Sequence, residues 1–226
     1  MTMGNDTALI IFSRLPIGHE TKTRLAPILN ETQRSELHLA MWRDIFSEAL
    51  KLRNTDIYLC WTGSGDIADY QKYIPSSFML MKQEGNNLGE RMKNAMRKIF
   101  ADGYKRAVII GTDIPFVRAE NISRAFDSLN DSDIVIGPSD DGGYWLIGMR
   151  KYIPEVFSLS SWGNSSVFDE TVKTLSAQSI SYCKAETLDD IDTPEDINDF
   201  MSVEGNERTH TYKYITKSLP HKKRGR

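Results

Sequence analysis

ALIIFSRLPIGHETKTRLAP, residues 8–27, joins an apolar run to a cationic loop near the start of the chain. The first six residues are almost entirely apolar, which is typical of a strand buried on both faces of a parallel sheet. Lys22 and Arg24 follow in a loop that Pro16 and Gly18 shape. Because open α/β sheets bind ligands at the carboxyl ends of their strands, cations here predict an anionic ligand. An ordinary solvated loop explains the two charges equally well.

Strands and helices alternate along most of the chain. Short apolar or alternating runs bounded by turn residues predict strands at 8–13, 56–61, 78–82, 107–110, 133–136 and 144–149. Helices are predicted at 31–52, 87–100, 118–129 and 165–175, with another that begins at Pro194 behind the cap residue Thr193. This order predicts βαβ units and a mostly parallel sheet covered on both faces. The segment GPSDDGGYWLIGM (137–149) leaves no room for a crossover helix, so its strand is predicted to run antiparallel.

Composition limits the class of protein. The 226 residues are 40% hydrophobic and 26% charged, which fits one globular domain and argues against disorder. No apolar run approaches the roughly 18 residues of a spanning helix, and the first residues lack the features of a signal peptide, so a cytoplasmic protein is expected. Cys60 and Cys183 lie in apolar runs without a histidine at ligand spacing, which predicts buried free thiols rather than a zinc site.

The last residues differ in charge from the rest. Residues 204–226 hold seven Lys or Arg against two acids, so one globular domain is expected at 1–203 and a basic, flexible tail at 204–226. The tail could touch nucleic acid or anionic lipid, but a mobile solvated terminus is the preferred interpretation, since its last ten residues carry no aromatic side chains.

Aspartates follow two of the predicted strands. In VIIGTDIPFV, Asp113 comes after a buried strand and Gly111, where an oxygen ligand could place Mg²⁺ against a diphosphate. In PSDDGGYWLIG, Asp140 or Asp141 precedes two glycines that let the backbone approach a ligand. A turn carboxylate and a plain hairpin are the alternatives. The side chains of Tyr144 and Trp145 are predicted to point to opposite faces of the sheet.

A third acidic motif, LDDIDTPEDI, carries five carboxylates in ten residues. Helix-start preferences explain Glu195 and Asp196. Asp190 and Asp192 lie before the helix cap, so they are candidates for a second metal contact.

Six blocks in this order resemble a known family: FSRLPIGHETKTRLAP, GNNLGERM, IIGTDIPFV, GPSDDGGYWLIGM, SWGNSSVF and LDDIDTPEDI. They are similar to GT-A-like transferases among the nucleotide-diphospho-sugar transferases, of the kind labelled arsenosugar-biosynthesis glycosyltransferases or radical-SAM-associated transferases. More distantly they resemble the guanylyltransferases of phospholactate and of the molybdenum cofactor. The resemblance runs from about residue 8 to 200. It implies a three-layer α/β/α sandwich with a mixed sheet, a nucleotide held by the first loop, and a divalent metal.

The resemblance also assigns residues to roles. It implies catalytic roles for Asp113, Asp141 and Lys22, and metal ligation by Asp113, Asp190 and Asp192. The residues implied at the nucleotide or along the acceptor side are Arg14, Lys22, Arg24, Gly89, Arg91, Gly111, Thr112, Gly142, Gly143 and Tyr144. Two departures matter. Gly18-His19 stands where the family usually has Pro-Gly, which affects nucleotide preference, and Trp162-Gly163-Asn164 stands for Trp-Gly-Thr, which could remove a hydroxyl from the acceptor pocket.

Two reactions fit these residues. A nucleotide-sugar donor would give glycosyl transfer to a small-molecule acceptor, and a nucleoside triphosphate would give nucleotidyl transfer to a phosphorylated or carboxylate acceptor with release of pyrophosphate. Both need Mg²⁺ or Mn²⁺ and a cationic clamp. The family label favours glycosyl transfer. A regulatory nucleotide-binding module and a nucleic-acid binder are the remaining alternatives, and no membrane partner is expected.

Overall fold

The computed structural model describes residues 5–159, 162–163 and 165–219. Its strands form one sheet in the order β3-β2-β1-β4-β6-β5-β7. The strands are β1 Thr7–Arg14, β2 Thr55–Thr62, β3 Met79–Lys82, β4 Arg106–Gly111, β5 Ile134–Pro138, β6 Tyr144–Met149 and β7 Tyr182–Lys184. The α-helices are α1 Glu31–Ala49, α2 Leu88–Ala101, α3 Ala119–Ser128, α4 Val167–Ala177, α5 Pro194–Ser202 and α6 His210–Ser218.

The sheet is mixed because β6 runs antiparallel to both of its neighbours, β4 and β5, as the sequence predicted. The other pairs are parallel. Since β6 is reversed, its first residue, Tyr144, lies at the same edge as the last residues of β4 and β5. The loop between β5 and β6 therefore joins the loops after β1 and β4 at one edge of the sheet.

Helices cover both faces of the sheet, which confirms the predicted three-layer α/β/α architecture. Strand β1 is buried on both sides: Leu9 and Ile11 face one core and Ala8 and Ile10 the other. Helices α1 and α3 pack on the first face, and α2 and α4 on the second. Tyr144 and Trp145 contact opposite cores, as their alternation predicted.

Local signals set the helix boundaries. Asn30 and Gln33 form a reciprocal capping box at the start of α1, and Thr193 with Asp196 forms another at α5. The predicted 31–52 helix ends three residues early, because the amides of Lys51 and Leu52 bond to carbonyls three residues back and tighten the last turn. The other predicted helices, and the predicted strands, agree with the structure to within one or two residues at either end.

Some elements were not predicted. Strand β7 has only three residues and lies at the sheet edge, so its apolar pattern is weak. The prediction of a buried thiol holds for Cys60 but is wrong for Cys183, which lies in this edge strand and is half-buried. Four short 3₁₀ helices, at Thr23–Leu25, Ile67–Tyr73, Pro154–Phe157 and Asn206–Arg208, were also missed.

The predicted flexible tail is wrong over residues 204–219. Helix α6 packs against α1, and Ile215 joins a third core with Leu37 and Met41 of α1 and Phe200 of α5. The basic residues that dominated the prediction lie mostly at 220–226, outside the described residues. Only a few apolar positions mark the buried face of α6. The count of basic residues in 204–226 therefore led to the prediction of a flexible tail instead of a helix.

Asp44 fastens α6 to α1. Its buried carboxylate accepts hydrogen bonds from the backbone amides of His210 and Thr211, at 2.7 and 2.9 Å, and from the Thr211 hydroxyl at 2.7 Å. A carboxylate at the first turn of a helix satisfies otherwise unpaired amides and favours the helix dipole.

We therefore expect Asp44→Ala to lower the free energy of unfolding by about 2–3 kcal/mol, because it leaves buried donors without an acceptor. Denaturation in guanidinium chloride measures the change. The exposed Asp127 on α3 provides the control, since Asp127→Ala should change stability by no more than about 0.5 kcal/mol. Equal stability of the Asp44 and Asp127 variants would mean that this contact does not hold α6.

No helix in the described part of the chain combines the length and apolarity that crossing a bilayer requires.

Candidate active site

Lys22 connects three segments at the carboxyl edge of the sheet. The residue adopts a left-handed conformation, with φ of 49°, and its side chain is only 2% exposed. Its ammonium lies 2.7 Å from Asp113 Oδ1, 3.2 Å from Asp192 Oδ1 and 2.6 Å from the Ile191 carbonyl. The Ile191 amide also donates to the Asp113 carbonyl at 2.9 Å. The ammonium of Lys22 thus joins the first loop to the residues that follow β4 and to the late acidic loop.

Electrostatics favours the charged forms of this group. Burial opposes the charge on Lys22, but Asp113 and Asp192 outweigh it and raise the pKa of the ammonium. Desolvation likewise opposes ionisation of Asp113, yet Lys22, next to it, holds the pKa of that carboxyl below its ordinary value. Lys22 was predicted as an open phosphate clamp. In the structure all three of its ammonium contacts go to protein oxygens, so it neutralises the acidic segments instead.

A buried polar cluster lies beneath this group. Nε2 of His38 lies 3.2 Å from the Ser13 hydroxyl and 3.3 Å from the Thr112 hydroxyl, and Nδ1 contacts the Thr21 hydroxyl. Trp42 Nε1 donates to Ser13 at 2.7 Å. Burial lowers the pKa of His38 to about 4, so the ring is neutral at pH 7. The sequence reasoning missed this cluster; a histidine on the apolar face of α1 was the available signal.

A cleft of about 800 Å³ opens beside the first loop. We call it the cationic cleft, because Arg14, Arg24 and Arg91 line it together with Lys22. Its wall also includes Gly111 and Thr112 after β4. Arg14 is exposed and the Arg24 side chain is 71% exposed, so both can reach a ligand. The structure therefore brings together predicted residues of the first loop, of the end of β4 and of the first turn of α2.

A second hollow of about 270 Å³ adjoins the cationic cleft. We call it the apolar cavity. Its walls come from β1, β4, β6, α2 and the segment leading into α4, and include Phe12, Met92, Ile109, Tyr144, Ile147, Trp162 and Val167. Asp113 lines both hollows, as do Phe12, Leu88 and Gly111. Asp113 thus stands where the two spaces meet.

Three predicted residues of the β5–β6 loop line the apolar cavity. Asp141 and Gly143 lie at its rim, and Tyr144 lies deeper. Asp141 Oδ1 accepts from the Gly143 amide at 2.9 Å and from the Ser139 hydroxyl, which fixes the loop. The Tyr144 hydroxyl is buried without a hydrogen-bond partner among the described residues. Burial raises the pKa of Tyr144 well above its ordinary value.

Two predicted glycines have structural rather than ligand-lining positions. A Cβ on Gly89 would lie 2.3 Å from Trp162 Nε1, so the glycine lets that ring pack against α2. Gly142 has a φ of 83°, and a Cβ there would lie 2.1 Å from the Ser165 carbonyl. Neither borders the cleft or the cavity within the part of the chain that is described. In this structure the two glycines serve packing and turn geometry, and their contact with the nucleotide or acceptor stays a prediction.

The late acidic loop divides into two roles. Asp192 forms ion pairs with Lys22 and, at 3.5 Å, with Arg24 Nη1. Asp190 borders the apolar cavity and has no such pair among the described residues. Desolvation, together with the charges of Asp192 and Asp113, raises the pKa of Asp190 to about 6. Across the described ranges no three Asp, Glu, His or Cys side chains already converge as a metal cage.

The SWGNSSVF block is only partly described. Trp162 and Gly163 line the apolar cavity. Ser161 and Asn164, the second of which replaces the threonine of the resembled family, lie outside the described residues.

Comparisons with known proteins agree with this architecture. A family model described as "Uncharacterized protein conserved in bacteria (DUF2064)" matches residues 45–164. The 2-phospho-L-lactate guanylyltransferase of Methanobrevibacter smithii is 28% identical over 211 residues, which cover 91% of this chain and 89% of the relative. The enzyme of the same name from Methanothermobacter thermautotrophicus is 29% identical over 208 residues, covering 90% and 88%. A crystal structure from Desulfovibrio desulfuricans G20, assigned provisionally as a nucleotide-diphospho-sugar transferase, is 30% identical, with a TM-score of 0.89 over 95% of both chains.

Proposed function

The chain belongs to the DUF2064 family, and from that starting point we propose that it is a metal-dependent nucleotidyltransferase. It joins a nucleoside triphosphate, with GTP as the first candidate, to a small phosphorylated or carboxylate acceptor and releases pyrophosphate. The sequence alone favoured glycosyl transfer. The relatives named as guanylyltransferases favour the nucleotidyl alternative instead.

One observation carries this proposal: Asp113 stands at the junction of a cleft lined by arginines and a cavity lined by apolar side chains. Arginine recognises phosphate oxygens through its planar fork, so the cationic cleft suits a triphosphate. The apolar cavity has room for a second molecule. A donor and an acceptor placed in these hollows would react next to Asp113, at the carboxyl edge where open α/β sheets bind ligands.

The reaction needs no proton donor. An anionic oxygen of the acceptor attacks the α-phosphorus, and the bond between that phosphorus and the α–β bridging oxygen breaks. Pyrophosphate leaves with the electron pair. In this scheme Arg14, Arg24 and Arg91 hold the phosphates and stabilise the leaving group. Lys22 keeps Asp113 ionised and in place, and Asp141 borders the acceptor.

The acidic residues at the junction suit Mg²⁺ or Mn²⁺. Carboxylate oxygens are the ligands such ions prefer, and burial, together with the neighbouring charges of Asp192 and Asp113, raises the pKa of Asp190 to about 6. Mg²⁺ is commonly held by one or two carboxylates together with substrate phosphates. We propose Asp113 and Asp190 for this role, because both line the apolar cavity, whereas Asp192 does not and is paired with two cations, Lys22 and Arg24. The ion, when bound, supplies neutralisation of phosphate charge.

A ligand panel tests the proposed function. Nucleoside triphosphates and nucleotide sugars are compared by thermal shift with and without Mn²⁺, because a ligand that binds the native state raises the apparent melting temperature. Pyrophosphate release is then assayed with GTP, Mg²⁺ and a panel of phosphorylated and carboxylate acids that differ in their carbon chains, with 2-phospho-L-lactate as one member. We expect stabilisation by triphosphates, largest with GTP, and pyrophosphate release. A response confined to nucleotide sugars would return the assignment to glycosyl transfer.

The cationic cleft leads to a separate prediction for nucleotide affinity. Arg24→Ala should raise the Kd for GTP about tenfold, since a charge-assisted hydrogen bond contributes roughly 1.5 kcal/mol. The effect should shrink as salt rises, because the arginine is exposed and screened. Calorimetric titration at two salt concentrations measures it. Arg53→Ala is the control, because Arg53 lines a different hollow, at the opposite edge of the sheet. Equal losses in both variants would show that the cleft is not the nucleotide site.

A further inference from the structure

The apolar cavity differs in charge from the cleft beside it. Of the described residues that line it, none is Lys, Arg or His, and the charged ones are Asp113, Asp141 and Asp190. All three carboxylates belong to the loops at the rim, whereas the interior wall is formed by side chains such as Phe12, Ile147 and Val167. A metal held by Asp113 and Asp190 would lie at this rim, beside the reacting end of the acceptor. A further negative charge deeper in the cavity would meet apolar carbon without a cation to balance it.

The size of the cavity suits a sizeable group. Its volume is about 270 Å³, whereas an apolar cavity of roughly 150 Å³ already accommodates benzene. An aromatic or branched aliphatic group would therefore fit and would bury its carbon surface against the wall. A group as small as a methyl would leave most of the space unfilled and gain little from burial.

The Tyr144 ring forms part of the cavity wall. Trp162 contacts this ring edge-on, with centroids 6.3 Å apart, so the ring is held in place. The hydroxyl at the end of the ring is itself buried, so Tyr144 presents ring carbon to the cavity.

We propose that the apolar cavity binds the non-reacting part of the acceptor, and that this part is uncharged and either aromatic or branched aliphatic. The acceptor then has a single anionic end, which reacts beside Asp113. The inference rests on the proposed function only for the identity of that reacting end. We therefore expect this chain to bind acceptors with one acidic group and a hydrophobic remainder more tightly than acceptors with several separate acidic groups.

Three probes test the proposal by direct binding to the full chain in a buffer with Mg²⁺. L-lactate, L-3-phenyllactate and L-malate share a carboxylate and a 2-hydroxyl and differ at the third carbon, which carries hydrogen, phenyl or a second carboxylate. Isothermal titration calorimetry should give 3-phenyllactate at least tenfold tighter binding than lactate, and malate the weakest. Equal affinities, or tightest binding of malate, would overturn the proposal.

A matched pair of valine substitutions tests whether 3-phenyllactate binds in the apolar cavity. Val167 is 4% exposed and lines the cavity, whereas Val203 is 55% exposed and does not. Val167→Asp should abolish the tenfold advantage of 3-phenyllactate, and Val203→Asp should retain it. Loss of the advantage in both variants, or in neither, contradicts the location. Should Val167→Asp fail to fold, the ranking of probes in the unaltered chain decides the proposal.

GTP binding is measured on the same preparations. If the chain does not bind GTP but ranks the probes as expected, nucleotidyl transfer is refuted and the cavity assignment stands. If the chain binds GTP but does not rank the probes as expected, only the cavity assignment is refuted.

Discussion

Asp113→Asn is expected to lower kcat/KM for pyrophosphate release at least 100-fold while the protein stays folded. The substitution preserves shape but removes the negative charge that stands where the cationic cleft and the apolar cavity meet. Loss of one preorganised electrostatic group in an active site typically costs about 100- to 1,000-fold in rate. The loss should persist at saturating Mg²⁺ if Asp113 does more than raise metal affinity. Steady-state kinetics across a Mg²⁺ titration measures both effects.

Asp127→Asn provides the matched control, because Asp127 is exposed on α3, away from both hollows. It should retain the activity of the unaltered chain. Circular dichroism on both variants confirms that each is folded. Full turnover by Asp113→Asn would remove the central residue of the proposed site and, with it, the proposed chemistry.

Lys22→Met is expected to reduce the free energy of unfolding by about 2–4 kcal/mol. Removing one partner of a buried ion pair usually costs about 3–5 kcal/mol, because the other charge remains without compensation. The lower range applies here because Asp113 and Asp192 are 42% and 33% exposed, so water partly screens them. Methionine keeps the unbranched stem, so the change isolates the ammonium. Equilibrium denaturation in urea measures it.

Two further variants separate charge from packing in this experiment. Lys105→Met removes an exposed ammonium 2.9 Å from Asp6, and it should change stability by less than about 1 kcal/mol. The double variant Lys22→Met, Asp113→Asn should recover part of the loss, since neutralising the carboxylate removes the unpaired charge. Strict additivity of the two single substitutions would show that Lys22 and Asp113 are not coupled.

The sequence predicted the fold well because its signals were local and repeated. The six predicted strands are short apolar or alternating runs between turn residues, and the cap residue Thr193 marked the start of α5. Even the reversed direction of β6 followed from the short 139–143 connection. Helix α6 could not be predicted in the same way, because its place depends on Asp44, 166 residues from the first amide that it binds.

The site was predictable as a neighbourhood but not as a set of contacts. Parallel topology places the ends of β1 and β4 side by side, which is why Lys22 and Asp113 could be expected close together. The sequence could not show that the Lys22 side chain points inward and that its ammonium contacts Ile191, Asp113 and Asp192. Nor could it distinguish Gly89, which makes room for a tryptophan ring, from a glycine that faces phosphate.

The contact between Lys22 and Ile191 has a consequence for biosynthesis, since 169 positions separate the two residues. At translation speeds of about 5–20 residues per second, the ribosome needs roughly 10–30 s to add that intervening stretch. Throughout this interval the apolar side of α1 that later meets α5 and α6 is uncovered, and Lys22 lacks its contacts with Ile191 and Asp192. We therefore expect truncated expression products that stop near residue 164 to be prone to aggregate.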